Sequence, residues 1–376
     1  MLHRRLPLFA LLGALTLLAP LAAQDGKPQT SDGLFTIEKE IARLPVQNQG
    51  MTGTCWSFAT VSFVESEIER MTGRPSDLSE IYPVYFTWLE KSKRYVEKKG
   101  ESQFTEGGLS HDITMVIRDY GLVPQEAYTG LCPGDKMHNH AEMAGVLKGM
   151  LDVVAKKKSR RGRNVAPSDK WMAATRGVLD AYLGRPPERF EVEGKEYTPK
   201  SYAASLGLDA SNYVEIMSFK SQPMWSDATL DVPDNWDKVA NYKNVPVEAL
   251  METIDYAVEH GFTVALDSDV SEKGFSRAGL AVLDDEALKK EGAITDDLRD
   301  QLFKSGDTTD DHLMHIVGIA KHKDGERYYL VKNSWGKVGP YDGNWMMARS
   351  FVALKTLAIM VHKDGVPPAI REKLGL

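Results

Sequence analysis

Cysteine is scarce in this chain: 376 residues contain two, Cys55 and Cys132. That excludes a disulfide-stapled scaffold and a zinc site built from several thiolates. An excess of positive charge is also missing. The 46 basic side chains are outnumbered by 53 acidic ones, a formal net charge of −7, which is no profile for a nucleic-acid binder. One local exception, Lys156-Lys157-Lys158-Ser159-Arg160-Arg161-Gly162-Arg163, reads as a solvated helix end and loop rather than a polyanion site. Beyond the first two dozen residues no apolar run is long enough to span a bilayer, and there is no internal repeat or low-complexity tract. What remains is an ordinary globular composition, 42% hydrophobic and 26% charged, in a chain long enough for one large domain or two lobes.

The N-terminus stands apart. His3, Arg4 and Arg5 precede an apolar run from Leu6 to Leu21 that exits through Ala22-Ala23. A basic head, an apolar middle and small exit residues predict a secretory signal peptide over residues 1–23, cut before Gln24. The expected location is therefore outside the cytoplasm, periplasmic or secreted, with no membrane span after cleavage. No cysteine precedes Cys55, so a lipid-bearing cysteine at the cut is excluded.

Residues 24–45 read as a polar lead-in with a short amphipathic stretch, Leu34 to Leu44. A glycine-bearing loop, Gln47 to Thr54, leads to a helix from Cys55 to about Met71. Trp56, Ala59, Phe63 and Ile68, with Phe58, Val61 and Val64, cover most of its girth, the pattern of a buried helix. Further helices are expected over Ser79–Lys98, over Ser110–Tyr120 with its stop at Gly121 and Pro124, and over Lys170–Leu183. The stretch from about 137 to 255 reads as helices broken by polar loops. The last third changes to strands: Phe262–Leu266, His312–Ala320, a turn at Lys323-Asp324-Gly325-Glu326, a returning strand Arg327–Lys332, and Trp345–Ala348. A helical N-terminal part followed by a β-rich C-terminal part indicates an α+β fold of two lobes.

A cysteine that opens a buried helix is unusually placed. The helix N-terminus offers partial positive charge and free N–H groups, which favour a thiolate nucleophile. Attack on a carbonyl creates an oxyanion that needs fixed donors. The backbone N–H of Cys55 and the side-chain amide of Gln49 are the candidates, with Gly50 and Gly53 letting the loop turn tightly. A thiol nucleophile also needs a base, and the base an orienting group. His312 and His315 share one predicted strand at odd spacing and so face opposite sides. His312 lies at the strand mouth, while His315 lies mid-strand among apolar residues and reads as packed. The hairpin then returns Asn333 beside His312.

Gln49-Gly50-Met51-Thr52-Gly53-Thr54-Cys55-Trp56 resembles the active-site loop of papain-like cysteine peptidases. In Asp311-His312-Leu313-Met314-His315-Ile316-Val317-Gly318, the histidine at a strand start with a glycine six residues later resembles their base. Asn333-Ser334-Trp335-Gly336 resembles their orienting-asparagine string. Tyr82 to Lys91, Glu106-Gly107-Gly108, Tyr120 to Pro124, Leu179 to Gly184 and Ser268-Asp269-Val270 are similar to the bleomycin hydrolase and aminopeptidase C branch. The likeness runs from about residue 45 to 368.

That resemblance implies a papain-like peptidase domain over 24–376, with a helical insertion at about 130–255. It implies peptide-bond hydrolysis through a thiol acyl-enzyme, with Cys55, His312, Asn333 and Gln49 as catalytic residues. Gly107 and Gly108 would line the substrate cleft with bare backbone, and Trp335 would shield the His312–Asn333 bond. No metal or organic cofactor is implied. The partner is a peptide or protein substrate, and the branch's hexameric cages imply a homo-oligomer by resemblance alone. The branch ends in a tail whose terminal carboxylate captures the substrate's amino terminus. Ile370 to Leu376 reads as too short to supply that tail, so aminopeptidase against endopeptidase action stays open. Acyl transfer on the same machinery and a silent peptide-binding relative are the alternatives.

Overall fold

The computed structural model describes residues 27–158, 165–290 and 292–376. The expected signal peptide and most of the basic run lie outside them. Strand β1 (Phe35–Glu40) precedes helices α1 (Cys55–Thr72), α2 (Ile81–Glu97), α3 (Ser110–Asp119), α4 (Ala141–Ala155) and α5 (Lys170–Leu183). A hairpin of β2 (Phe190–Val192) and β3 (Lys195–Tyr197) leads to α6 (Pro199–Ser205). Then follow β4 (Tyr213–Met217), β5 (Ser226–Ala228), β6 (Tyr242–Asn244), α7 (Val247–Glu259), β7 (Val264–Ser268), β8 (Phe275–Ser276), β9 (Leu280–Ala281) and α8 (Asp296–Ser305). The chain ends with β10 (His312–His322), β11 (Arg327–Lys332), β12 (Asn344–Ala348), α9 (Arg349–Lys355), β13 (Thr356–His362) and α10 (Pro368–Leu374).

The sheet runs β5-β6-β4-β13-β7-β10-β11-β12-β9-β8, and β1 pairs with the far end of β10. Its central strands alternate between two cores, as the two-residue period of a strand requires. Ala265, Leu313, Ala358 and Met360 face the helices, where they join Phe58, Phe63 and Val64 of α1. Leu266, Met314, Ile316 and Ile359 face the other way, onto α7 and α9 through Leu250, Ile254 and Phe351. The two-lobed α+β expectation is met.

The stretch from 137 to 255 departs from its reading as helices and loops. It carries α4 and α5 but also β2 to β6. β5 and β6 are three residues each, too short to show a periodic pattern. β6 is a strand because it pairs with β4, itself held by β13, and β5 because it pairs with β6. The strand expected at Phe262–Leu266 is displaced to Val264–Ser268. Asp267 and Ser268 break the apolar pattern, yet both pair with β10 and β13.

Candidate active site

Helix α1 begins at Cys55 itself, with Thr54 as its N-cap residue, and every residue from Trp56 to Ile68 is buried. The loop before it is held from several sides. Gly50 has φ +68°, and a Cβ there would stand 2.5 Å from the His138 carbonyl oxygen, so no other residue fits without moving that chain. Met51 N–H donates to the same carbonyl at 2.8 Å. Gly53 N–H donates to Glu106 Oε2 at 2.7 Å, and Trp56 Nε1 donates to the Glu106 carbonyl at 3.0 Å. The cysteine loop and the Glu106-Gly107-Gly108 segment are thereby fastened together.

Hairpin β10–β11 brings His312 and Asn333 together. His312 Nε2 lies 2.7 Å from Asn333 Oδ1. The same oxygen accepts the Ser334 N–H at 2.7 Å, which settles the amide orientation, because a backbone donor needs an oxygen opposite it. Nε2 must then carry the imidazole hydrogen, leaving Nδ1 with its lone pair. The Trp335 ring covers the His312 ring at a centroid distance of 4.7 Å and 34°, and both His312 and Asn333 are buried. Three residues on, His315 points to the helical lobe, with its Nδ1 3.0 Å from Ser62 Oγ of α1. It packs as a core side chain, as its position implied.

Gln49 is buried and pinned at both ends. Its Oε1 accepts from Ser334 Oγ at 2.6 Å, and its Nε2 donates to the Thr52 carbonyl at 2.7 Å. One amide hydrogen is committed and the second remains. Ser334 sat inside a recognisable string, but nothing in the sequence showed that its hydroxyl holds Gln49.

The electrostatics differ from the sequence expectation of a ready thiolate. Desolvation, added to by Asp310, Asp267 and Asp234 and opposed by the Leu313 backbone, raises the Cys55 thiol to about 12. Burial pulls His312 down to about 4, partly opposed by its bond to Asn333. Each group alone is held neutral.

Gly107 and Gly108 lie in the segment fastened to the cysteine loop. A Cβ on Gly108 would meet Asp112 Oδ2 at 2.6 Å and the Trp56 ring at 2.9 Å. One on Gly107 would meet Asp234 Oδ2 at 1.9 Å. Lys91 Nζ donates to the Thr105 carbonyl at 3.0 Å and also to that of Gly107. Both cysteines are free, and Cys132 Sγ donates to the Ala181 carbonyl at 3.5 Å. Among the described residues no group of three or more His, Cys, Asp or Glu is arranged to hold a metal ion, and no helix is long and apolar enough to cross a membrane.

A mixed sheet with a cysteine-headed helix packed on one face is the papain-like fold. The chain belongs to the Peptidase C1-like family, whose model matches residues 18–375, and within it to the bleomycin hydrolase and aminopeptidase C branch. It is 23% identical over 358 residues to aminopeptidase C of Lactococcus lactis subsp. cremoris, covering 86% of this chain and 82% of the relative. With aminopeptidase E of Lactobacillus helveticus it shares 24% over 366 residues, covering 85% and 81%. The crystal structure of PepW from Lactobacillus rhamnosis superposes with a TM-score of 0.70 at 19% identity, over 90% of this chain and 84% of that one, which establishes the shared fold.

Proposed function

We propose that this protein is an exported cysteine peptidase that cleaves peptide bonds next to a free amino terminus through a thiol acyl-enzyme. The observation that carries the reading is the 2.7 Å contact of His312 Nε2 with Asn333 Oδ1, on a strand whose Leu313 backbone reaches the thiol of Cys55. With Nε2 engaged, Nδ1 is the atom available to take the Cys55 proton. The thiolate attacks the carbonyl carbon, and the Cys55 N–H with the remaining Gln49 N–H holds the oxyanion. His312 returns the proton to the leaving amine, and water, activated by the same imidazole, releases the acid.

The preference for a free amino terminus is supported by the aminopeptidase names of the relatives. Export rests on the sequence of residues 1–23. Comparing hydrolysis of alanyl-aminomethylcoumarin with that of its N-acetylated form, by the natural protein and by Cys55→Ala, tests the chemistry. Cys55-dependent cleavage of the free-amine substrate is expected. Equal rates in the variant would end the nucleophile assignment. N-terminal sequencing of protein recovered outside the cytoplasm should begin at Gln24.

A further inference from the structure

Three carboxylates from separate parts of the chain act electrostatically on Cys55, and the reaction scheme uses none of them. Asp310, Asp267 and Asp234 are the charges felt at the thiol. Strand register aims Asp267. It lies opposite Leu313 of β10 and Ala358 of β13, and directly paired residues of antiparallel strands share a face. That face is the one turned to α1. Asp310 stands two residues before His312 and within hydrogen-bonding reach of Asp267, a contact that needs a proton on one of them. Asp234 comes from the loop between β5 and β6, and its carboxylate rests on the α-carbon of Gly107.

Acidic groups nearby have partners, and this contrast is informative. Glu215 accepts from His111 N–H at 3.1 Å and lies 3.1 Å from its Nδ1, and that pairing raises His111 to about 9. Asp112 accepts from Trp236 Nε1 at 2.9 Å and Leu109 N–H at 3.0 Å. Asp269 has Lys355 at 3.2 Å. Lys91, whose charge acts on Asp234, donates from its ammonium to two carbonyl oxygens. Asp267 is only 3% exposed, yet among the described residues its oxygens have no donor apart from a proton shared with Asp310. Asp310 Oδ2 is without one too, and among the described residues Asp234 is offered only Thr105 Oγ1 at 3.5 Å. A carboxylate stripped of water without a donor costs several kcal/mol or stays protonated. Accordingly Asp310 is lifted to about 7 by burial and Asp234, and Asp267 well above the carboxylate range by burial and Asp310.

We propose that Asp234, Asp267 and Asp310 form a receptor for a cation carried by the substrate, on the side of the cleft lined by Gly107. The receptor rests on the cysteine-peptidase reading above and gives it a specificity device. Its favoured guest is the substrate's own α-ammonium. A primary ammonium brings three donors to a site with unused acceptors. With a substrate laid along Gly107, as the resemblance implies, the Asp234 carboxylate beside that glycine's α-carbon would face the substrate. A basic side chain offers the same chemistry and is the second source.

Steady-state kinetics on Asp267→Asn, Asp310→Asn and Asp234→Asn separate the possibilities. Substrates are alanyl-aminomethylcoumarin, its N-acetyl form, and the N-acetylated arginyl-alanyl and leucyl-alanyl pair. If the ammonium is the guest, kcat/KM for the free-amine substrate falls about tenfold or more, mainly through KM, while the N-acetyl form loses less. If a side chain is the guest, the arginyl preference over leucyl collapses instead. Either supports the receptor, and unchanged ratios in all three variants overturn it. On the unaltered protein, alaninamide should slow iodoacetamide labelling of Cys55 while N-acetylalaninamide should not. Equal behaviour of the two amides, together with no arginyl preference over leucyl, overturns the proposal even if the variants misfold. Absence of any Cys55-dependent hydrolysis would remove the underlying reading, whereas hydrolysis with unchanged ratios would remove the receptor alone.

Discussion

His312 donates from Nε2 to Oδ1 of Asn333 across 2.7 Å, and that oxygen also takes the N–H of Ser334 at 2.7 Å. The asparagine is therefore locked by its own backbone before it orients the imidazole. Asn333→Ala should leave the fold intact and cut kcat by about 10²–10⁴-fold, with KM little changed. Asn333→Asp, which can still accept from Nε2–H, should recover part of the loss. Single-turnover acylation rates check both. Asn333→Ala at natural rates would mean that the imidazole is held by packing against Trp335 alone.

A second prediction concerns the thiol. Burial sends Cys55 up to about 12 and His312 down to about 4, so any thiolate at neutral pH depends on the imidazole accepting its proton. In His312→Ala the thiol is left to its desolvated, acid-flanked surroundings. Alkylation of Cys55 by iodoacetamide at pH 7 should then fall by more than about 10²-fold, and the pH needed for reaction should rise well into the alkaline range. Mass spectrometry of the labelled peptide reads this directly. An unchanged rate would show that the N-terminus of α1 ionises the thiol without help.

Gln49 gives the third. Both ends of its amide are fixed, by Ser334 Oγ at 2.6 Å and the Thr52 carbonyl at 2.7 Å, so its remaining N–H is held in place before substrate arrives. Gln49→Ala should lower kcat by about 10²–10³-fold with little effect on KM. Ser334→Ala, which only frees the amide to turn, should cost less. A loss expressed in KM rather than kcat would place Gln49 in ground-state binding and not at the oxyanion.

Much of this site could be read from local strings. Helix α1 and the β10–β11 hairpin each place their key residue within a few positions of a recognisable pattern, so Cys55, His312 and Asn333 were visible, and α5 ran over the expected Lys170–Leu183. What escaped depends on long-range pairing. β5 and β6 exist because β4 and β13 exist. Asp234, Asp267 and Asp310 belong to three segments whose closeness follows from sheet register and from one loop laid on Gly107. The thiol's upward shift escaped for the same reason, since the helix terminus is local, while the burial that mainly raises the thiol and the acids that add to it depend on distant segments.

The last prediction is a pH-dependent stability. Glu80, just before α2, is 3% exposed, and burial with Asp77 raises it from 4.5 to about 7, only partly countered by its backbone bond and Lys332. Lys332 is shared with Glu65, itself raised by burial, and its ammonium donates to Ser62 Oγ at 2.8 Å, so it cannot fully neutralise either carboxyl. The folded chain keeps the Glu80 proton to higher pH than the unfolded chain does. The resulting stabilisation is fully present below about 4.5 and is lost as pH rises through about 7. Glu80→Gln, which never ionises, should gain on the natural protein by about 2–3 kcal/mol between pH 5 and pH 8.5. Thermal or urea unfolding of both proteins at the two pH values measures that difference. A gap that stays constant with pH would mean that Glu80 ionises as freely in the folded chain as in the unfolded one, with water reaching a carboxyl that the packing of α1 and α2 places out of its reach.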